Sequence, residues 1–160
     1  MKISSKTRLE LNPINIDLLA INETWSVAYK PFDNMGNTIE VGDKFTLLVN
    51  VNPTNPVFVA LNLQKWLHQK AKKTLEPWLT SLANDRKLRV NRIYVKNQVS
   101  RWGSCSQKHN INLNRNLLFL PNHLVQYVLH HELTHLVHLN HSEKFWSLLS
   151  TIIPDHNKLI

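Results

Sequence analysis

Cysteine is almost missing from this chain: Cys105 stands alone among 160 residues, so no internal disulfide can form. A lone thiol fits a reducing compartment. Long apolar runs are missing too, and no stretch approaches the roughly 18 residues a membrane helix needs. The opening Met1-Lys2-Ile3-Ser4-Ser5-Lys6 leads into polar sequence and shows no secretory leader. The expectation is a protein of the cytoplasm with no membrane partner. No repeat or low-complexity tract appears. The apolar fraction of 42% suffices for a real core, which excludes wholesale disorder. The length suits one compact domain with room for a small appended subdomain.

Acidic residues are scarce in one region. Residues 1–55 hold five Lys/Arg against six Asp/Glu, whereas residues 56–160 hold fourteen against five. Within 65–115 the count is twelve basic to two acidic. Such an excess suits an anionic partner, and non-specific nucleic acid is the candidate. The same excess also serves as a solvated surface, and no base-reading motif accompanies it.

Along the chain, Trp25 to Tyr29 alternates like a strand, and Phe45 to Val51 is a strongly apolar run between turn residues. Val51 to Pro56 forms the best boundary, dividing a β-rich N-terminal segment, 1–55, from a second unit, 56–160. Asn55 can cap a helix whose first residue is Pro56. Val59, Leu63, Trp66, Leu67, Ala71 and Leu75 then recur at helical spacing, and Pro77 is expected to kink or split that helix. Arg89 to Val95 alternates, and Ile111, Leu113 and the Leu117–Leu120 region suggest a further strand. Pro121-Asn122 opens a second helix, and Ser142 can cap a third that stops at Pro154. The order of strands, helix, strands, helix, helix describes an α+β domain.

Six of the nine histidines lie between 123 and 141, and His131-Glu132-Leu133-Thr134-His135 has the form H-E-x-x-H. Positions four apart on a helix lie about 40° apart around the axis and about 6 Å along it. Two imidazoles so placed can converge on one tetrahedral zinc ion. Glu132 sits next to the first ligand without being one, where it can deprotonate a water attacking a polarised carbonyl. Apolar neighbours (Leu124, Val128, Leu129, Leu133, Leu136) suit a buried active-site helix. Two spare histidines, His138 and His141, follow.

Several separated motifs now stand in a particular order: Ser100-Arg101-Trp102-Gly103-Ser104-Cys105-Ser106, Ile111-Asn112-Leu113-Asn114, Leu120-Pro121, Tyr127-Val128 before His131-Glu132-Leu133-Thr134-His135-Leu136, Asn140-His141-Ser142, and Phe145-Trp146. They resemble the YgjP-like predicted metal-dependent hydrolases, which are similar to the SprT-like and WLM zinc peptidases. The resemblance runs from about Leu61 to Pro154. It implies a zincin-like fold with a small mixed or antiparallel sheet packed on the active-site helix. It further implies a Zn2+ cofactor, ligands at His131, His135 and His141, and a catalytic Glu132. Residues 1–50 match loosely, so no substrate choice follows from them. In the zincins it resembles, the strand in the place of Ile111, Asn112, Leu113 and Asn114 forms the cleft's rim. An exposed edge there would pair with an extended peptide, which makes these four residues substrate-binding candidates.

Geometry bears separately on the third ligand. On a straight helix His138 would lie about 20° from His131 but about 10.5 Å along the axis, too far to share an ion easily. Asn140 tolerates the left-handed conformation that ends helices. The helix is therefore expected to end near Leu139 or Asn140, with the turn carrying His141 into the site and leaving His138 outside.

Three other groups need weighing. Gly103 would let backbone approach the metal helix or a substrate, with Trp102 as a wall, or it simply makes a tight turn beside a core tryptophan. Cys105 lacks an evident base partner and reads as a small buried residue. Arg101, His109 and Tyr94 are the candidates for stabilising an oxyanion. The leading function is a zinc metallopeptidase acting on unfolded or extended polypeptide. The alternatives are a nucleic-acid-associated protein that brings such a site to bound proteins, and a non-catalytic module with structural zinc. Glu132 argues against the last, because a structural site has no use for a base beside its ligand.

Overall fold

The computed structural model describes residues 13–31, 38–51 and 56–159. The first two stretches form a four-stranded sheet from β1 (Asn15–Leu18), β2 (Glu23–Pro31), β3 (Thr38–Val41) and β4 (Thr46–Val51), in the order β1-β2-β4-β3. β2 and β4 run parallel, and the outer pairs are antiparallel. Strict alternation buries Ile16, Leu18, Trp25, Val27, Leu47 and Val49, as the period of two requires of a sheet with one covered face.

That face is covered by α1 (Pro56–Asp85), about 45 Å long at 1.5 Å per residue. Its apolar row Val59, Leu63, Leu67, Ala71, Leu75, Leu79 and Ala83 is buried, with Trp66 alongside. Trp66 meets the edge of Trp25 at 5.1 Å. Pro77 does not divide the helix. Its ring removes the bond to the Lys73 carbonyl, but both residues are exposed, so water can take that acceptor. Asn55 lies outside the described residues.

The far half of α1 carries a second sheet of β5 (Arg92–Lys96), β6 (Gly103–Cys105) and β7 (Asn110–Asn114), in the order β5-β7-β6. β5 pairs parallel to β7, and β6 pairs antiparallel to it. Leu117 to Leu120, expected as strand, instead belongs to or follows a 3-10 turn over Arg115–Phe119. The buried Asn114 starts that turn by accepting the Asn116 N–H at 3.0 Å, an interaction that favours a local helical turn over a ladder. α2 (Asn122–Thr134) and α3 (Glu143–Ile152) follow, with Ser142 at the N-cap of α3 but no side-chain bond from it.

One hydrophobic cluster spans both sheets and all three helices, so residues on either side of the 55/56 junction share it. Asn122 at the start of α2 donates to the Ala20 carbonyl at 2.9 Å, tying α2 to the first sheet. Among the described residues no helix is long and apolar enough to cross a membrane.

Candidate metal centre

α2 ends at Thr134, several residues before the expected Leu139 or Asn140. The chain then tightens through bonds from Leu136 to the Leu133 carbonyl and from Val137 to the Thr134 carbonyl. His135 Nδ1–H donates to the His138 carbonyl at 3.1 Å, taking the acceptor that a continuing helix would offer to residue 142. Asn140 is not left-handed; the turn is made without a positive φ between 135 and 142.

The tightened turn brings three imidazoles together. His141 Nε2 lies 2.9 Å from His131 Nε2 and 3.1 Å from His135 Nε2. Tetrahedral zinc at about 2.0–2.1 Å from each nitrogen would space them about 3.3 Å apart, close to these two separations. Because the His138 carbonyl can only accept, His135 carries its hydrogen on Nδ1 and aims a lone pair into the cluster. Burial, and then the neighbouring His135 and His141 rings, push the His131 imidazolium down to about 4. Burial lowers His135 as well, against its bond to the His138 carbonyl. Neutral nitrogens of this kind fit a divalent metal at ordinary pH. Of the acidic, histidine and cysteine side chains described, these three form a group able to hold one ion. His138 contributes its carbonyl to the turn and not its ring to the cluster.

The floor beneath the cluster is apolar. Phe145, fully buried on α3, lies 4.9, 4.6 and 4.8 Å from the rings of His131, His135 and His141. Behind α2, Arg86 follows the end of α1. Its Nη1 donates to the His130 carbonyl and its Nη2 to the Thr134 hydroxyl, both at 3.3 Å. The Thr134 hydroxyl in turn donates to the His130 carbonyl at 2.8 Å. A cation there complements the carbonyl end of the helix dipole. Forty-four residues separate Arg86 from His130, and nothing local in the sequence announces the contact.

Glu132 is 6% exposed, and its Oε2 has no hydrogen-bond partner. Burial pushes its carboxyl up to about 8, against the opposing pull of Arg101. The carboxylate lies against Gly103 so closely that a Cβ there would meet Glu132 Cγ and Oε1 at 2.8 Å and Cδ at 2.9 Å. Gly103 thus admits the close approach of α2, the first of the two readings the sequence allowed. Cys105, two residues on, has its thiol pushed up to about 11 by burial and then by the Glu132 charge. A thiol so protonated is no nucleophile.

The peptide-pairing edge expected of Ile111, Asn112, Leu113 and Asn114 is not theirs. β7 is the central strand, paired on both sides, so its main chain is spent. Ile111 and Leu113 are buried core residues. Asn112 donates to the Ser104 hydroxyl at 3.1 Å, and Asn114 donates to the carbonyls of Gln98 and Arg101, pinning the loop before Gly103. The free edge beside α2 belongs to β6. Asn114 N–H bonds the Trp102 carbonyl and Ser106 N–H the Asn110 carbonyl, so the register turns Trp102, Ser104 and Ser106 toward β7. By alternation the main-chain groups of Gly103 and Cys105 face outward.

Of the three oxyanion candidates, Arg101 makes its charge felt at Glu132. His109 is exposed in the β6–β7 turn with φ 59°, and Tyr94 is exposed on β5, the opposite edge of the sheet. Of the basic residues, Lys70 is committed to Glu23 at 2.7 Å and lies over Trp25. No curated protein matches the chain. A family model described as YgjP-like, metallopeptidase domain, matches residues 9–159. The chain therefore belongs to the YgjP-like metallopeptidase family, which implies a metal cofactor that the three converging histidines could hold.

Proposed function

We propose that this protein is a zinc peptidase of zincin type, with His131, His135 and His141 as ligands and Glu132 as general base. The observation that carries the reading is His141 Nε2 meeting His131 Nε2 at 2.9 Å and His135 Nε2 at 3.1 Å, beside a buried carboxylate with an unpaired oxygen. A divalent metal held there supplies a Lewis acid for the scissile carbonyl and acidifies water.

The chain's own residues divide the remaining work. An extended polypeptide pairs with the outward N–H and C=O groups of Gly103 and Cys105, which fixes the scissile bond relative to Glu132. Glu132 takes a proton from the attacking water and passes it to the departing amine nitrogen. Burial raises its pKa above that of an ordinary carboxylate, and a dication bound beside it would favour the ionised form that accepts the proton. Arg101 offsets negative charge developing at the carbonyl oxygen.

Zinc titration of alanine variants tests the ligand set. His141→Ala is expected to lower affinity by orders of magnitude, and His138→Ala only slightly, since alanine keeps the carbonyl that His135 uses. The reverse ranking would mean a different third ligand.

A second reading concerns an anionic partner. Lys72 and Lys73 line one surface depression, Lys87, Arg89 and Arg92 line the next, and the two share Glu76, Thr80 and Asn84. None of the five cations has a carboxylate within ion-pair distance among the described residues. We infer a non-specific track for nucleic-acid backbone, which would weaken steeply between about 50 and 200 mM salt. No shift of labelled duplex or single strand at 50 mM salt would leave these cations as solvated surface.

A further inference from the structure

Of the three converging imidazoles, His141 has the least support from its own backbone. It is exposed and lies between α2 and α3, in a segment with neither helix nor strand. His135 is oriented by its Nδ1–H bond to the His138 carbonyl. His141 Nδ1 has no such protein partner among the described residues; the ring's polar contacts are those of Nε2 with the other two histidines. Metal-binding imidazoles are ordinarily held by a hydrogen bond on the second nitrogen. His131 Nδ1 has no partner either, but that ring is carried by α2, whereas His141 stands on a loop.

Trp146, one turn into α3, stacks on His141 with centroids 5.4 Å apart and planes 22° from parallel. The same indole stacks on His156 at 5.6 Å and 11°. His156 is 4% exposed and lies in the short turn His156–Lys158 that closes back on α3. Its Nδ1–H donates to the Ile153 carbonyl at 3.2 Å, and Ser150, which contacts that nitrogen at 3.4 Å, donates to the Trp146 carbonyl at 2.7 Å. The buried imidazole is thereby fixed to the helix that carries Trp146.

We propose that Trp146, set in place by His156, is a positioning residue for metal capture. It stacks on the third imidazole and substitutes for the hydrogen bond that His141 lacks. The proposal rests on the zinc reading above. The stack is also selective for the bound state. An imidazole whose Nε2 is donated to a dication carries positive charge in its ring, and an indole face attracts such charge. Trp146 therefore stabilises the metal-loaded site more than the metal-free one. A tryptophan that merely fills space would stabilise both equally.

The test uses the full chain, with zinc affinity read by competition against a chromophoric chelator. Melting temperature is measured with and without excess zinc. Trp146→Leu should bind zinc about 10-fold more weakly, within the range of a partly desolvated cation–π contact, and should show a smaller zinc-induced rise in Tm. His156→Ala should weaken zinc in the same direction by a smaller factor. Trp146→Phe keeps an aromatic face and should recover most of the affinity while losing the zinc-induced change in tryptophan emission, which keeps the test open if the leucine variant does not fold. Variants that melt lower by the same amount with and without zinc, at unchanged affinity, would reduce the stack to packing and overturn the proposal. Wild-type protein that takes up no zinc would instead refute the ligand assignment itself, and this inference with it.

Discussion

Replacing Gly103 with alanine puts a methyl carbon 2.8 Å from Cγ and Oε1 of Glu132. Ordinary carbon contacts lie at about 3.5–4.0 Å, so one partner must retreat by roughly 0.7–1 Å. The strand is the less free of the two, because Gly103 is held in register opposite Leu113. Its φ is not positive, so alanine meets no backbone strain and the whole penalty falls on the contact. Glu132 must therefore swing away from where it would meet the attacking water. A displacement of about 1 Å in an active site costs on the order of 100-fold in rate. Overpacking costs about 1–3 kcal/mol of stability, which leaves most domains folded. None of the three histidines is touched, so zinc affinity should hold. The expectation for Gly103→Ala is a folded, zinc-loaded protein with kcat/KM down about 100-fold on a casein or peptide-library substrate. Full activity would refute the placement of Glu132 as base, and loss of zinc along with activity would show that Gly103 serves the fold of the metal site instead.

Two further predictions use the perturbed groups. Cys105, with its thiol raised from 9.0 to about 11, should react with iodoacetamide at pH 8 about 100-fold more slowly in the folded protein than after denaturation. Equal rates would show the thiol to be ionised and open. In metal-free protein the folded His131 protonates near 4, while the unfolded imidazole does so near 6.5, so between these values the unfolded chain binds more protons. Stability is then full above pH 6.5 and falls by about 3 kcal/mol as the pH drops toward 4. Urea midpoints of the metal-free protein at pH 7 and 4.5 measure this, and His131→Gln should flatten the difference; an unchanged pH dependence in that variant would remove His131 as the cause.

Local periodicity carried much of the fold. The apolar row from Val59 to Leu75 announced α1, and all six of its expected members are buried. Alternation announced the strand around Trp25, and a continuous apolar run the one around Leu47. What could not be read locally depended on partners far along the chain. After Thr134 the chain tightens through bonds to the Leu133 and Thr134 carbonyls, and His135 then takes the His138 carbonyl, a turn that serves a cluster existing only after folding. The edge of the second sheet went to Gly103–Cys105 and not to Ile111–Asn114 because strand order is not written in strand pattern. Leu117 and Leu118 suit a strand by composition, but the Asn114 side chain starts a 3-10 turn before them. Arg86 carried no signal, since its contact with α2 is made across the fold, and His156 carried none because its stack on Trp146 forms only when the chain after Pro154 turns back on α3.

The most direct measurement compares cleavage of a peptide library by zinc-loaded wild-type protein and zinc-loaded Glu132→Gln, with metal content determined on the same samples. The glutamine keeps the shape beside Gly103 and leaves the three histidines intact, but cannot accept the proton. The account predicts equal zinc in both proteins, with hydrolysis in the wild type alone. Hydrolysis that persists in the variant at wild-type rates, or zinc lost with the carboxylate, would contradict it.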